Sequence, residues 1–130
     1  MLRLPMSGPS ITVLLVDDHE DIRELMALQL KYAGEGLVLG GSVASGEAAL
    51  EVIDEIDPTV VVLDEMMPGM TGVETAMAIR ARRPGQLMVL FSAFLNADVR
   101  DRAERAGIAM CVPKADILKL PSILLDLAAR

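Results

Sequence analysis

The stretch Thr59-Val60-Val61-Val62-Leu63-Asp64 decides the fold of this chain more than any other. An unbroken run of β-branched and aliphatic residues is typical of a strand that is buried on both faces of a sheet. The run stops at Asp64, and the Pro68-Gly69 pair that follows is a turn signal. The stretch therefore predicts a central strand that ends in a carboxylate and is followed by a loop.

The same pattern recurs on both sides of this strand. Each apolar run is followed by a segment whose apolar residues repeat at three- and four-residue steps, as in an amphipathic helix; in the first such segment they include Leu25 and Leu28. Strands that alternate with helices predict one parallel sheet covered on both faces, the doubly wound α/β architecture. The run that contains Gly40 and Gly41 is the weakest, so we expect it at an edge. We predict strands over 11–16, 37–43, 59–63, 87–91 and 108–112, and helices over 21–32, 45–56, 72–82, 97–106 and 121–129.

Length and composition limit the class of protein. The 130 residues, 52% of them apolar, suit one compact domain, which we place at residues 10–130 behind a flexible leader at residues 1–9. The net charge of −7 argues against a surface built to bind nucleic acid. No apolar run has the length of a membrane span, and a single cysteine excludes an intramolecular disulfide. We therefore expect a cytoplasmic protein that binds neither nucleic acid nor a membrane.

Polar side chains follow the strong strands of the predicted sheet. Asp17 and Asp18 come after the first strand, Asp64 after the third, Ser92 after the fourth and Lys114 after the fifth. Taken singly, each has a plain explanation. Asp18 is a candidate helix cap, Asp64 a turn residue, Ser92 a hydroxyl bonded to nearby backbone and Lys114 a solvated charge.

Together these residues indicate a phosphoryl site. The carboxyl ends of parallel strands meet at one edge of the sheet, which is where ligands bind in such folds. Three clustered carboxylates repel one another unless a positive charge neutralises them, and Mg²⁺ prefers oxygen ligands. A metal, an ammonium and a hydroxyl around one carboxylate form a site suited to a phosphoryl group.

Four segments carry a resemblance to a known family. They are Val16-Asp17-Asp18-His19-Glu20, Val62-Leu63-Asp64-Glu65-Met66-Met67-Pro68-Gly69-Met70-Thr71-Gly72, Phe91-Ser92-Ala93 and Val112-Pro113-Lys114. In this order the chain resembles the receiver domain of bacterial two-component response regulators, from Ile11 to Ala129. The resemblance implies a five-stranded parallel sheet in the order 2-1-3-4-5.

The resemblance also implies a role for each matched residue. Asp64 matches the phosphoacceptor. Asp18 matches the direct ligand of Mg²⁺ or Mn²⁺, Asp17 the ligand that acts partly through water, and Met66 the position whose backbone carbonyl completes the metal shell. Nearby His19 is more consistent with a surface role than with chemistry. The thioethers of residues 66, 67 and 70 are expected to pack in the protein, since soft sulfur is a poor partner for a hard cation.

The two remaining matches belong to signal transmission. Ser92 matches the hydroxyl that turns toward the phosphoryl group, and Lys114 matches the lysine that pairs with it. Two departures stand nearby: Cys111 occupies a position where the family usually has an aromatic residue, and Pro113 precedes the lysine while Ala115 follows it. We expect Cys111 to be an ordinary core residue. Phe94 is a candidate either for excluding water from the site or for packing.

By resemblance, the chain is a phosphorylation switch and not an enzyme for outside substrates. Its implied partners are a sensor histidine kinase or phosphotransfer protein and a downstream protein or output domain, with a phosphorylation-dependent homodimer as a further possibility. Two alternatives stay open: the receiver part of a longer DNA-binding regulator, and a Mg²⁺-dependent phosphatase with an aspartate nucleophile. The phosphatase is disfavoured because Met66 stands where such enzymes place a second aspartate.

Overall fold

The structure, a computed structural model, describes residues 10–33 and 36–130. Strands and helices alternate along these residues as the sequence predicted. The predicted leader at residues 1–9 lies outside the described part of the chain. The elements are β1 (Ile11–Val16), α1 (Glu20–Tyr32), β2 (Leu37–Val43), α2 (Gly46–Ile56), β3 (Val60–Leu63), α3 (Gly72–Arg82), β4 (Leu87–Ser92), α4 (Ala97–Arg105), β5 (Met110–Pro113), a 3₁₀ helix (Lys114–Lys119) and α5 (Leu120–Ala128).

The five strands form one parallel sheet in the order β2-β1-β3-β4-β5. This confirms the predicted architecture and strand order, including the edge position of β2. Strand β1 pairs with both β2 and β3, and the order reverses at β1 because β2 and β3 lie on opposite sides of it. Such a reversal opens a crevice at the carboxyl ends of the adjacent strands.

Each face of the sheet is packed by helices, because successive side chains of a strand point to opposite sides. In β1, Leu14 and Val16 pack on the side of α2, α3 and α4, while Val13 and Leu15 pack on the side of α1 and α5. All four are fully buried. Full burial of an aliphatic side chain contributes about 2 kcal/mol, so the Val, Leu, Ile and Met residues of these two layers supply a stable core with few aromatics.

Helix starts follow local capping rules in two of the helices that flank the site. Ser45 accepts a hydrogen bond from the Ala48 N–H at 3.1 Å, as expected of a helix cap. Thr71 and Glu74 form a reciprocal capping box at the start of α3. The loop after β3 therefore joins a helix whose first turn is held in place by its own side chains.

Apart from shifts of one residue at the ends of several elements, three details differ from the sequence-based expectations. A 3₁₀ helix at Lys114–Lys119 precedes α5, where no helix was predicted, and β5 begins at Met110 and not at residue 108. The apolar spacing of α1 included Leu25 and Leu28, yet both side chains are exposed, because only one stripe of the helix meets the sheet. Among the described residues, no helix is both long and apolar enough to cross a bilayer.

Candidate functional site

The backbone ladder extends beyond the strands at the carboxyl edge of the sheet and sets the acidic residues side by side. The Asp17 N–H donates to Val43 O at 3.1 Å, and the Asp64 N–H donates to Val16 O at 2.9 Å. Both aspartates are almost fully buried. Parallel pairing of β1 and β3 thus brings together two carboxylates that are 47 positions apart in the sequence.

Lys114 joins these two carboxylates. Its Nζ lies 2.9 Å from Asp17 Oδ2 and 3.3 Å from Asp64 Oδ2. The lysine follows β5 at the other edge of the sheet, and its side chain is only 18% exposed. The departure from the family pattern around Pro113 and Ala115 does not move this ammonium away from the acidic residues. The plain alternative for Lys114, a solvated surface charge, does not fit this placement.

Asp18 and His19 complete the acidic end of the site. His19 Nδ1 lies 3.1 Å from both Asp17 Oδ1 and Asp18 Oδ1, and the His19 N–H donates to Asp17 Oδ1 at 2.9 Å. The N-cap of α1 is His19, without a side-chain capping bond, so Asp18 is not the helix cap that the sequence allowed. The Arg23 guanidinium donates to the Asp17 carbonyl at 2.7 Å, a contact that the sequence did not predict.

The charge on Asp64 is held in an unfavourable environment. Burial raises the pKa of the Asp64 carboxyl, and the neighbouring Asp17 charge raises it further. The Lys114 ammonium and a backbone hydrogen bond from Met66 act in the opposite direction and only partly offset these effects. The net result is a pKa above the ordinary value, which means that the folded protein disfavours the charged form and would gain from another cation nearby.

The residues present fit a hard divalent cation. Asp17, Asp18, His19 and Asp64 each offer a ligand atom, and these atoms lie within 4.8 Å of one another. Two buried oxygens, Asp17 Oδ2 and Asp18 Oδ1, lack a well-directed hydrogen bond from residues 10–33 or 36–130, although the Lys114 ammonium lies close to the first and the His19 ring to the second. Carboxylate oxygens without hydrogen bonds are the ligands that Mg²⁺ and Mn²⁺ prefer, whereas imidazole suits softer ions.

Ser92 lies at the same edge, at the end of β4, and is buried. Its Oγ accepts a hydrogen bond from the Phe94 N–H at 3.3 Å, the local backbone contact that the sequence left as an alternative. Phe94 itself is 65% exposed, which argues against packing, one of the two roles that the sequence left open for it. Its ring is therefore largely exposed to solvent, two residues after Ser92.

The loop after Asp64 carries a buried residue that the sequence reasoning missed. The Glu65 side chain accepts a hydrogen bond from the Val73 N–H at 2.9 Å, and its backbone carbonyl accepts one from the Gly72 N–H at 3.1 Å. A Cβ at Gly72 would lie 2.3 Å from the Asp64 carbonyl oxygen, so only glycine fits there. The start of α3 is thereby bonded to Glu65 and packed closely against Asp64, the two residues that follow β3.

The methionines of this loop behave differently from one another. Met67 is buried in the core, as predicted, and Met70 is half-buried beside Gly46. Met66 is 57% exposed, so its predicted packing role is wrong. Its predicted contribution to the site concerns only the backbone carbonyl, and that stays a prediction.

Cys111 lies in β5 and packs against the core on the side of α2, α3 and α4. It is half-buried. Burial raises the pKa of its thiol above the ordinary value, which keeps it protonated and unreactive at neutral pH. The structure supports the expectation of an ordinary packing residue in place of the usual aromatic side chain.

Comparisons with known proteins agree with this geometry. The family described as the response regulator receiver domain matches residues 13–123. A protein-glutamate methylesterase/protein-glutamine glutaminase of Anaeromyxobacter dehalogenans is 40% identical over 111 residues, which cover 77% of this chain and 31% of that protein. The transcriptional activator ExaE of Pseudomonas putida is 33% identical over 120 residues, 91% of this chain and 53% of that protein.

Solved structures show the same fold. The signal receiver domain of a NarL response regulator from Mycobacterium tuberculosis superimposes with a TM-score of 0.82 at 30% identity, covering 94% of this chain and 98% of that one. The response regulator domain of CheB from Thermotoga maritima gives a TM-score of 0.81 at 22% identity, with 93% and 95% coverage. The chain spans about a third of the length of the first curated relatives that it matches.

Proposed function

We propose a function from one premise: the chain belongs to the response regulator receiver domain family. On that premise, it accepts a phosphoryl group on Asp64 and serves as a phosphorylation-dependent switch in a two-component system. The observation that carries the proposal is the placement of the buried Asp64 carboxylate beside Asp17, with Lys114 Nζ within 3.3 Å of both.

The proposed reaction is an in-line transfer to the Asp64 carboxylate. One carboxylate oxygen forms a bond to phosphorus as the bond between phosphorus and a donor imidazole nitrogen breaks, and that nitrogen then takes up a proton. A carboxylate is a weak nucleophile, so the rate depends on positioning and on neutralising the phosphoryl oxygens. Lys114 already contacts Asp64 and supplies one positive charge at the reacting carboxylate.

A divalent cation would supply the remaining positive charge. The residues that would hold Mg²⁺ or Mn²⁺ are Asp17, Asp18, Asp64 and the backbone carbonyl of Met66. When bound, such an ion neutralises charge on the transferred phosphoryl oxygens. The role proposed for Ser92 is a hydrogen bond to the phosphoryl group on Asp64. Its O–H can donate that bond because the contact with the Phe94 N–H uses the hydroxyl oxygen as an acceptor.

The same geometry disfavours turnover of outside phosphate esters. A phosphatase with an aspartate nucleophile needs a general acid for the leaving group, and the position two residues after Asp64 holds Met66. The proposed donor is instead a phosphohistidine on a sensor kinase or phosphotransfer protein. The proposed outputs are contacts with a downstream protein or domain, with a phosphorylation-dependent homodimer as one form of such contact.

Intact-mass measurement after incubation with acetyl phosphate and Mg²⁺ tests the acceptor. We expect the wild-type protein to gain one phosphoryl group and Asp64→Asn to gain none, because the amide is not a nucleophile under these conditions. Asp126→Asn is the matched control, since Asp126 is an exposed carboxylate that pairs only with Arg130 among the described residues. Equal labelling of wild type and Asp64→Asn would rule out the proposed acceptor.

A second candidate function has the same phosphorylation of Asp64 but places the chain within a longer protein. Curated relatives include a transcriptional activator and a methylesterase, of which this chain matches about half and a third. In this reading the chain is the receiver part of a longer regulator. The mass of the protein immunoprecipitated from its own cells decides between them: 13.9 kDa supports the stand-alone switch, and a larger mass supports the longer regulator.

A further inference from the structure

Glu65 is a buried charged residue that the proposed phosphoryl transfer does not use. It follows the acceptor directly, and its side chain is 4% exposed. One carboxylate oxygen, Oε1, accepts the Val73 N–H at the start of α3. The other oxygen, Oε2, faces Arg102 on α4, whose Nη2 lies 3.9 Å away.

Arg102 stands between two acidic partners. Its Nε donates to Asp98 Oδ2 at 3.1 Å, one turn earlier on α4. Its Nη2 is oriented toward Glu65 but is about 1 Å too far for a direct hydrogen bond. The side chain is 45% exposed and therefore has room to move. A small movement of the Arg102 guanidinium can therefore shorten its distance to Glu65 and lengthen its distance to Asp98, or the reverse.

The usual aromatic side chain is missing from β5 in this protein. The chain has only three aromatic residues, Tyr32, Phe91 and Phe94, and the fifth strand carries Cys111 instead. A half-buried thiol is too small to swing between two packed positions as a ring does. The pair of Glu65 and Arg102 offers a different contact, because it connects the residue next to Asp64 with α4.

We propose that the Glu65–Arg102 ion pair reports the charge on Asp64 to α4. The inference rests on the proposed phosphorylation of Asp64. Phosphorylation adds negative charge to the residue adjacent to Glu65, and added negative charge in a poorly hydrated site attracts the surrounding cations, Arg102 on α4 as well as Lys114. Arg102 closes on Glu65, its contact with Asp98 weakens, and the first turns of α4 are displaced or loosened.

Hydrogen exchange at the backbone amides of α4 tests this coupling, with beryllofluoride and Mg²⁺ as the phosphoryl mimic. We expect the mimic to change exchange at residues 97–105 of the wild type by at least about threefold, roughly the effect of shifting one ion pair. The change is lost in Arg102→Gln and in Glu65→Gln. Glutamine at position 65 still accepts the Val73 N–H, so the fold of the loop is kept while the charge is removed.

Arg105→Gln is the matched control. Arg105 lies on the same helix and pairs with Asp101 in the same i, i+4 arrangement at 2.6 Å, but it is 76% exposed and, among the described residues, forms its ion pair with Asp101 and not with Glu65. It therefore retains the wild-type response. Arg102→Lys keeps a positive charge and restores part of the response, which a merely structural role of the guanidinium would not predict.

Phosphorylation of the same proteins by acetyl phosphate, measured by intact mass, distinguishes the proposed coupling from the proposed phosphorylation of Asp64. If all variants are phosphorylated and Arg102→Gln still shows the wild-type change in α4, the coupling inference is wrong while the proposed function stands. An unchanged α4 in phosphorylated wild type likewise overturns the coupling. A wild type that takes up no phosphoryl group overturns both.

Discussion

The charged groups at the carboxyl ends of the strands, the carboxyl edge, are compensated less completely than those at the amino ends, the amino edge. At the carboxyl edge, Asp17, Asp18 and Asp64 crowd together, with Lys114 as the main compensating charge. At the amino edge, two aspartates at the end of α2 are paired with two arginines at the end of α3. Arg83 contacts both Asp54 and Asp57, and Arg82 donates to the Leu50 carbonyl at 2.6 Å and contacts Asp54.

This difference shows which edge is adapted to bind a ligand. Gln86 at the amino edge donates its amide to the carbonyls of Pro58 and Thr59, so the backbone there is satisfied by the protein itself. The carboxyl edge retains two buried carboxylate oxygens without a directed hydrogen bond from the described residues. The carboxyl edge therefore gives up stability that the amino edge keeps, as is common where a protein binds a ligand.

The largest expected contrast between the edges comes from two glycines. Gly72→Ala forces a Cβ to within 2.3 Å of the Asp64 carbonyl oxygen and 2.8 Å of Leu90 Cδ1, so we expect a loss of about 3 kcal/mol in the free energy of unfolding. Gly85→Ala at the amino edge meets nothing within 4 Å and should change stability by less than about 0.5 kcal/mol. Urea denaturation of both variants measures the difference. Equal losses would show that the start of α3 relaxes freely away from Asp64.

In the second contrast, removing a carboxylate changes the free energy of unfolding in opposite directions at the two edges. Asp64→Asn should raise the free energy of unfolding by about 1 kcal/mol at pH 7, because burial and the Asp17 charge outweigh the attraction of Lys114. Asp57→Asn should instead lower it by about 0.5 kcal/mol, since Arg83 loses an exposed partner. Asn tolerates the left-handed backbone at position 57, where φ is 49°, so the loss of charge is the main change.

The pH dependence of that comparison follows from the raised pKa of Asp64. When folding raises the pKa of a carboxyl, its protonated form stabilises the folded protein at pH values below the ordinary pKa of 3.8. This contribution is lost as the pH rises through the raised pKa of the folded state. The advantage of Asp64→Asn over wild type should therefore be fully present at neutral pH and shrink as the wild-type carboxyl takes up its proton. Urea midpoints of both proteins between pH 7 and pH 4 measure it, and a constant gap would contradict the raised pKa.

The smallest expected effect tests the amino edge alone. Arg83→Gln removes the ion pairs with Asp54 and Asp57 and the bond from its Nε to Gln86 Oε1 at 2.9 Å. We expect a loss of about 0.5 kcal/mol at low salt that shrinks in high salt, since the acids are exposed and screened. The labelling of Asp64 by acetyl phosphate should stay at the wild-type level. A change in labelling would mean that the two edges are coupled through α3.

Much of the site was predictable because strand ends are visible in a sequence. Asp17, Asp64 and Lys114 each follow an apolar run, and parallel strands bring such positions to one edge, where the structure finds the three in contact. The position of Ser92 at that edge was predictable in the same way. Its bond to the Phe94 N–H was only one of the alternatives, because a hydroxyl has several partners within reach.

Other features depend on contacts between distant segments and were missed. Glu65 reads as a polar loop residue, and only the approach of α3 and α4 shows that it is buried against Val73 and near Arg102. The exposure of Leu25 was also unexpected, because helical spacing does not say how wide a stripe the neighbouring sheet will cover.

By itself, the amino-acid sequence determined the alternation of strands and helices, the parallel sheet and the identity of the residues at its carboxyl edge. These follow from local properties: apolar period, turn residues and the side chain that ends each strand. The tertiary structure alone decided that Lys114 bridges Asp17 and Asp64, that the Asp64 charge is disfavoured, and that Glu65 faces Arg102 across the start of α3. Burial and electrostatic energy depend on distances between segments far apart in the chain, and folding sets those distances.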